Sequence, residues 1–285
     1  MNGFRGPATS RPAEPLSDRR AVLIAVEGVT KVYPAAGSSR ISTPAVSDAT
    51  FDVRQGECLG IVGESGSGKT TLGNCIAGLL RPSAGLIRFE GQVVNEPGRR
   101  PRVPRLRGVQ IVFQDPVSSL NPRRTVGSVL AEILSVHGLA PRSGVKSAVS
   151  ALLEQVGLSR DLADRRPGRL SGGQQQRVAI ARALSFDPRL IVADEIVSSL
   201  DASVQAQILN LLDELRRLRS LSIVLITHDL AVARQLCDRL AVMQRGEIVE
   251  LDATDSILKS PRHEYTKQLL AVAPRLAVPG GAGGG

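Results

Sequence analysis

Gly63-Glu64-Ser65-Gly66-Ser67-Gly68-Lys69-Thr70 matches the pattern G-x-x-x-x-G-K-[ST] at every fixed position. It follows the apolar run Cys58–Val62 and opens a helical pattern at Lys69, the strand-then-helix context that distinguishes a phosphate-binding loop from a Gly/Ser-rich turn. The glycines let backbone N–H groups turn inward as an anion nest, and the positive end of the following helix points at the same anion. Lys69 supplies a cation for the β- and γ-phosphates, and the Thr70 hydroxyl is a ligand for Mg²⁺. Taken alone, such a loop reads only as nucleotide binding.

Working outward, short apolar runs alternate with helical patterns. Strands are expected at 24–29, 49–53, 58–62, 108–112, 190–193, 223–226 and 240–243, and helices at 69–80, 126–137, 145–156, 171–185, 204–219 and 230–237, with a short one near 266–270. Leu190-Ile191-Val192-Ala193 is continuously apolar, as a strand buried on both faces should be. It ends in Asp194-Glu195. Strand ends of a parallel sheet lie beside the phosphate loop, and successive side chains point to opposite faces, so the two carboxylates divide the work. Asp194 suits Mg²⁺ and Glu195 suits general base for the attacking water. His228 and Gln114 end two further strands, where they can reach the γ-phosphate, the water and the metal. Residues 49–53 alternate apolar and polar, which predicts a peripheral antiparallel sheet with one solvated face.

The chain has 285 residues, 42% of them hydrophobic, enough for one large α/β domain with appendages. Three scattered cysteines, Cys58, Cys75 and Cys237, fit reduced packing thiols better than a disulfide framework. No apolar run approaches the roughly 20 residues of a membrane-spanning helix, and residues 1–20 lack the apolar stretch of a signal peptide, which predicts a chain kept inside the cell. A net charge of +9 raises nucleic acid as a partner. Aromatic residues are only 2%, with no Trp, which leaves no stacking platform for single strands, so no nucleic acid is expected.

Leu170-Ser171-Gly172-Gly173-Gln174 opens a second strong helical stretch. Ser171 is a good N-cap, and the two glycines leave backbone N–H groups open to an anion. The chain therefore carries two helix starts suited to phosphate and one set of catalytic groups, an arrangement that a head-to-tail pair can use. LSGGQ, GESGSGKTT, the glutamine of Phe113-Gln114, Ala193-Asp194-Glu195 and Thr227-His228-Asp229 together resemble the ABC ATPase family over about residues 22–275. The stretches 113–123, 201–209 and 260–270 resemble its oligopeptide/dipeptide (peptide/nickel) importers, the F-type member in particular.

The resemblance implies an α/β fold: a P-loop NTPase, RecA-like core with an antiparallel β subdomain and an inserted helical subdomain at about 115–187. It implies an ATPase domain over 21–250, a disordered tail at 1–20 and a C-terminal extension at 251–285 with a Gly-rich end. The cofactors implied are ATP and Mg²⁺. Residues 63–71 (Gly63, Glu64, Ser65, Gly66, Ser67, Gly68, Lys69, Thr70, Thr71), Gln114 and His228 would bind the phosphates, with Tyr33 on the adenine. Thr70, Gln114 and Asp194 would hold the metal, and Glu195, His228 and Gln114 would act in catalysis. Ser171, Gly172, Gly173 and Gln174 would close on a partner's nucleotide, and Asp201 is the acid of the loop linking the two sites. The partners implied are a second ABC ATPase subunit (identical or related), permease subunits in the membrane and, indirectly, an external solute-binding protein. The chain would lie at the cytoplasmic face of the inner membrane. The family usually has Pro-Thr where this chain has Ile196-Val197, which bears on dimer geometry rather than chemistry. No cysteine follows Cys237, so no iron–sulfur cluster is expected. A nucleic-acid ATPase, suggested by the Arg-rich stretch 99–107, and a metabolite kinase are the rival readings, and neither explains LSGGQ.

Overall fold

The computed structural model describes residues 20–33, 43–99, 108–116 and 120–272. The N-terminal tail before Arg20, the Arg-rich stretch after Arg99, Val117–Ser119 of the Gln114 stretch and the Gly-rich end lie outside the described residues. Ten strands are described: β1 (Val22–Lys31), β2 (Val46–Arg54), β3 (Cys58–Val62), β4 (Ala84–Phe89), β5 (Gln92–Asn95), β6 (Val109–Val112), β7 (Leu190–Asp194), β8 (Ser222–Thr227), β9 (Arg239–Gln244) and β10 (Glu247–Ala253). The described α-helices are α1 (Lys69–Ile76), α2 (Val126–Val136), α3 (Val145–Gln155), α4 (Gly172–Leu184), α5 (Ala202–Arg219), α6 (Leu230–Leu236), α7 (Thr254–Lys259) and α8 (Glu264–Val272).

Strands β3, β7 and β8 are buried at every position, and they occupy the middle of a sheet ordered β10-β9-β3-β8-β7-β6. All neighbours in it are parallel except the edge strand β10. The second sheet, β2-β1-β4-β5, is antiparallel throughout. Ala49, Phe51 and Val53 point into its core while Thr50 and Asp52 do not, as the alternation predicts. Pleating divides β7 between two apolar clusters. Leu190 and Val192 pack towards the antiparallel sheet with Leu72 and Ile76 of α1, whereas Ile191 and Ala193 pack under the helices. Helix α1 thus lies between the sheets, and Gly73 permits it, since a Cβ there would meet Ile226 Cδ1 at 2.4 Å. Between β6 and β7 the described residues hold helices and no strand.

Several expectations change. Strands β4, β5 and β10 and helix α7 were not anticipated, and the helix expected over 69–80 stops at Ile76. Gly78 takes φ 73°, the N–H groups of Leu79 and Leu80 turn back to the Asn74 carbonyl, and buried Asn95 donates to the Cys75 and Leu80 carbonyls. The division placed at residue 250 falls inside β10, which continues to Ala253.

Candidate functional site

The loop 63–71 connects β3 to α1 at the carboxyl end of the central strand. Gly68 has φ 104°, and a Cβ there would sit 2.1 Å from the Ala45 carbonyl, so only glycine fits. Lys69 is 4% exposed. Its Nζ donates to the carbonyls of Gly63 (2.8 Å) and Glu64 (2.7 Å) and lies 3.4 Å from Ser67 Oγ. Burial pushes its pKa down, against the pull of the Glu195, Asp194 and Glu64 carboxylates. Glu64, Ser65, Gly66 and Thr70 are exposed along the loop.

The end of β7 meets this loop, and the ends of β8 and β6 join it through Glu195 and Ser198. Thr70 Oγ1 donates to Asp194 Oδ1 at 3.2 Å. Burial pushes the Asp194 carboxyl up, with the Thr70 hydrogen bond and Lys69 opposing and Glu195 adding to the rise. Glu195 follows at φ 48°, an unusual conformation for a side chain of this size and one found at active sites. Its N–H donates to Ile226 O at 3.0 Å, which ties it to β8, and its Oε1 lies 3.3 Å from His228 Nδ1. Gln114 Nε2 donates to Ser198 Oγ (3.2 Å), and Ser198 Oγ donates to the Glu195 carbonyl (2.9 Å). Ser198 therefore bridges two of the expected site residues. The Tyr33 ring is 45% exposed, and its hydroxyl lies 3.3 Å from Thr71 Oγ1, which puts the ring at the edge of the cradle. The Thr70 hydroxyl and Asp194 carboxylate are adjacent hard oxygen donors and fit a Mg²⁺ ion.

Ser171, Gly172, Gly173, Gln174 and Asp201 do not join this group. Ser171 and Gln174 form a reciprocal capping box at the start of α4, and Gly173 packs against α5, where a Cβ would meet Val204 Cγ1 at 2.5 Å. Asp201 caps α5, and the N–H of Val204, then the Ser203 hydroxyl, hold its carboxyl below the usual range. Ile196 and Val197 are 1% and 3% exposed and belong to the helical-side core. Tyr265, which lies in the 260–270 stretch but not among the expected site residues, reaches the loop from α8, its hydroxyl accepting the Glu64 N–H at 3.0 Å. A cavity of about 540 Å³ lies alongside, walled by Glu64, His228, Asp229, Leu230 and by Gln268, Leu269 and Val272 of α8.

The family model described as "ABC transporter" matches residues 46–198. The oligopeptide transport ATP-binding protein OppF of Bacillus subtilis is 45% identical over 239 residues, covering 82% of this chain and 78% of that protein. Among solved structures, cbiO1 of Clostridium perfringens, part of the cbiONQ transporter complex, superposes with a TM-score of 0.73 at 27% identity, covering 84% of this chain and 91% of that one. The ATP-binding cassette MJ0796, a post-hydrolysis dimer bound to ADP and phosphate, gives a TM-score of 0.70 at 28% identity over 81% of this chain and 99% of that one.

Proposed function

This chain belongs to the ABC transporter family and hydrolyses ATP, and from that premise we propose that it energises the uptake of peptides or similar small solutes through partner permease subunits. The observation that carries the chemistry is the convergence of Thr70, Asp194, Glu195 and His228 on one phosphate loop. The similarity to OppF supports peptides as the solute class.

In the proposed mechanism the backbone N–H groups of residues 63–71 and the Lys69 ammonium bind the β- and γ-phosphates, and the Tyr33 ring stacks on the base. Thr70, Asp194 and Gln114 would hold Mg²⁺, whose charge would offset that of the phosphate oxygens. Glu195 takes a proton from the water that attacks the γ-phosphorus. His228 holds the Glu195 carboxylate from one side, and Gln114 steadies its backbone through Ser198 from the other. A second ATP-binding subunit, identical or related, presents its own Ser171–Gln174 helix start to the same γ-phosphate, and Asp201 lies in the loop between the two sites. Closure around ATP and reopening after hydrolysis drive the permease, with the Gln114 loop and α2 passing the motion on. Coupling of this kind requires ATP to favour the closed pair. Among the described residues no helix is long and apolar enough to cross a membrane. The proposed location is peripheral, at the cytoplasmic face, where the permease in turn receives solute from an external binding protein.

Replacing Glu195 by Gln should keep ATP binding while lowering turnover about 10²- to 10⁴-fold, the usual share of a general base. Uptake of a labelled peptide by cells lacking the native chain should return with wild type and not with Glu195→Gln. Wild-type hydrolysis by the variant would remove Glu195 from the base role. Peptide uptake indifferent to the presence of the chain would remove the assigned cargo.

A further inference from the structure

Glu250, on the edge strand β10, is 7% exposed. Its two carboxylate oxygens accept the N–H groups of Arg262 (2.9 Å) and His263 (3.1 Å), and His263 Nδ1 accepts the N–H of Tyr265 at 3.2 Å. These bonds fix the entry to α8 against the sheet edge. Tyr265 and Thr266 follow at 6% and 1% exposure, with the Tyr265 ring in the helical-side core. The Tyr265 hydroxyl then accepts the backbone N–H of Glu64, 201 residues earlier in the chain. On the other side of the same residue, the Glu64 carbonyl accepts Lys69 Nζ at 2.7 Å. Glu64 is therefore gripped at its N–H by the C-terminal helix and at its C=O by the lysine of the cradle.

We propose that Tyr265 is a positioning residue for the phosphate cradle, through which α8 sets the loop's affinity for a nucleoside triphosphate. The proposal rests on the reading of residues 63–71 as that cradle. Tyr265 touches the loop backbone, not the reacting atoms, so its effect falls on binding and leaves the chemical step alone. A partly buried N–H that loses its acceptor must turn to find another. The same peptide unit carries the Gly63 carbonyl, which accepts Lys69 Nζ at 2.8 Å, so both the nest and the cation shift together. Helix α8 also forms one wall of the cavity beside His228. Any contact that displaces α8 would therefore loosen the cradle and weaken ATP binding from a distance.

Tyr265→Phe in the full chain tests this, because phenylalanine keeps the ring in its core position and removes the hydroxyl. With Mg-ATP as substrate, KM should rise by up to about fivefold, the worth of one net hydrogen bond, while kcat stays at wild type and the thermal midpoint falls by no more than about 4 °C. Exchange of the Glu64 amide hydrogen should quicken. A wild-type KM, or a loss confined to kcat, would overturn the proposal. Lys69→Met, read in parallel with a fluorescent ATP analogue, separates the two readings. If it keeps wild-type affinity, the cradle assignment falls and the positioning role falls with it. If it loses affinity while Tyr265→Phe keeps a wild-type KM, the positioning role alone falls. Should Tyr265→Phe not fold, exchange at Glu64 in the wild-type protein decides: protection of about tenfold or more is expected, and an unprotected amide refutes the contact.

Discussion

The Lys69 ammonium is nearly fully buried among two carbonyls and a hydroxyl, and burial already pulls its pKa down. Methionine has a similar length and no charge, so Lys69→Met removes a buried cation without opening a hole. Affinity for ATP should fall about 10- to 100-fold, as expected for a charge-assisted contact, while the thermal midpoint moves little, because relief of the buried charge offsets the cost of the stranded Gly63 and Glu64 carbonyls. Equilibrium binding and a melting scan check both halves, and an unchanged affinity would show that the lysine does not reach the phosphates. The loop containing Lys69 was readable from sequence because every group it needs lies within nine residues, 63–71. The φ of 48° at Glu195 and the Gln114–Ser198–Glu195 chain were not, since they follow from how β6, β7 and β8 end beside one another. Ile196 and Val197 show the same limit. Read as a departure from a family pattern, they turn out to be core side chains whose burial no local pattern reports.

At the scale of elements, continuous apolar runs located the central strands, while two hairpins escaped. Both β4–β5 and β9–β10 turn through two residues of positive φ, Glu90-Gly91 and Arg245-Gly246. Such turns are readable when the first residue is Asn or Asp, and Glu and Arg hide them. Arg245→Asn should therefore relieve about 1 kcal/mol of left-handed strain and raise the thermal midpoint by about 2–4 °C; a fall would show that Arg245 makes a compensating contact. Helix α1 was expected to be longer because its terminator, Asn95, lies in a different element. Asn95→Ala strands two carbonyls and should cost about 2–4 kcal/mol, measurable by urea unfolding. Glu250 does the equivalent for α8. Burial raises its carboxyl, but the neighbouring Thr266 hydroxyl, the N–H groups of Arg262 and His263 and the Arg262 charge outweigh this and hold it below the usual range. A depressed folded pKa stabilises the fold above the unfolded value of about 4.3, and that stability is lost as pH falls through the lower folded value. Glu250→Gln should thus melt below wild type at pH 7, with the gap closing as pH drops under about 4. A gap independent of pH would show that the charge is not what anchors the helix.

On the scale of the whole molecule, the two helix starts suited to phosphate are kept apart. The cradle sits at the carboxyl end of β3 beside Asp194, Glu195 and His228. The polar groups of Ser171 and Gln174 are spent on their own helix start, and of the glycines between them Gly173 faces α5 while Gly172 faces Leu200. Sequence revealed both starts, but their separation depends on where the helices between β6 and β7 carry α4. If hydrolysis needs both, neither a chain with a dead cradle nor one with a dead α4 start should turn over ATP alone. Lys69→Met removes the first and Ser171→Arg the second. A mixed head-to-tail pair then holds one doubly defective site and one site built from the intact halves of each chain. Random 1:1 mixing makes half the pairs mixed, each with one of two sites working, so activity should recover to roughly a quarter of wild type. A chain that hydrolyses ATP within its own fold predicts no recovery at any ratio. The recovered fraction should also fall on dilution as pairs dissociate, which separates pairing from contamination by wild type.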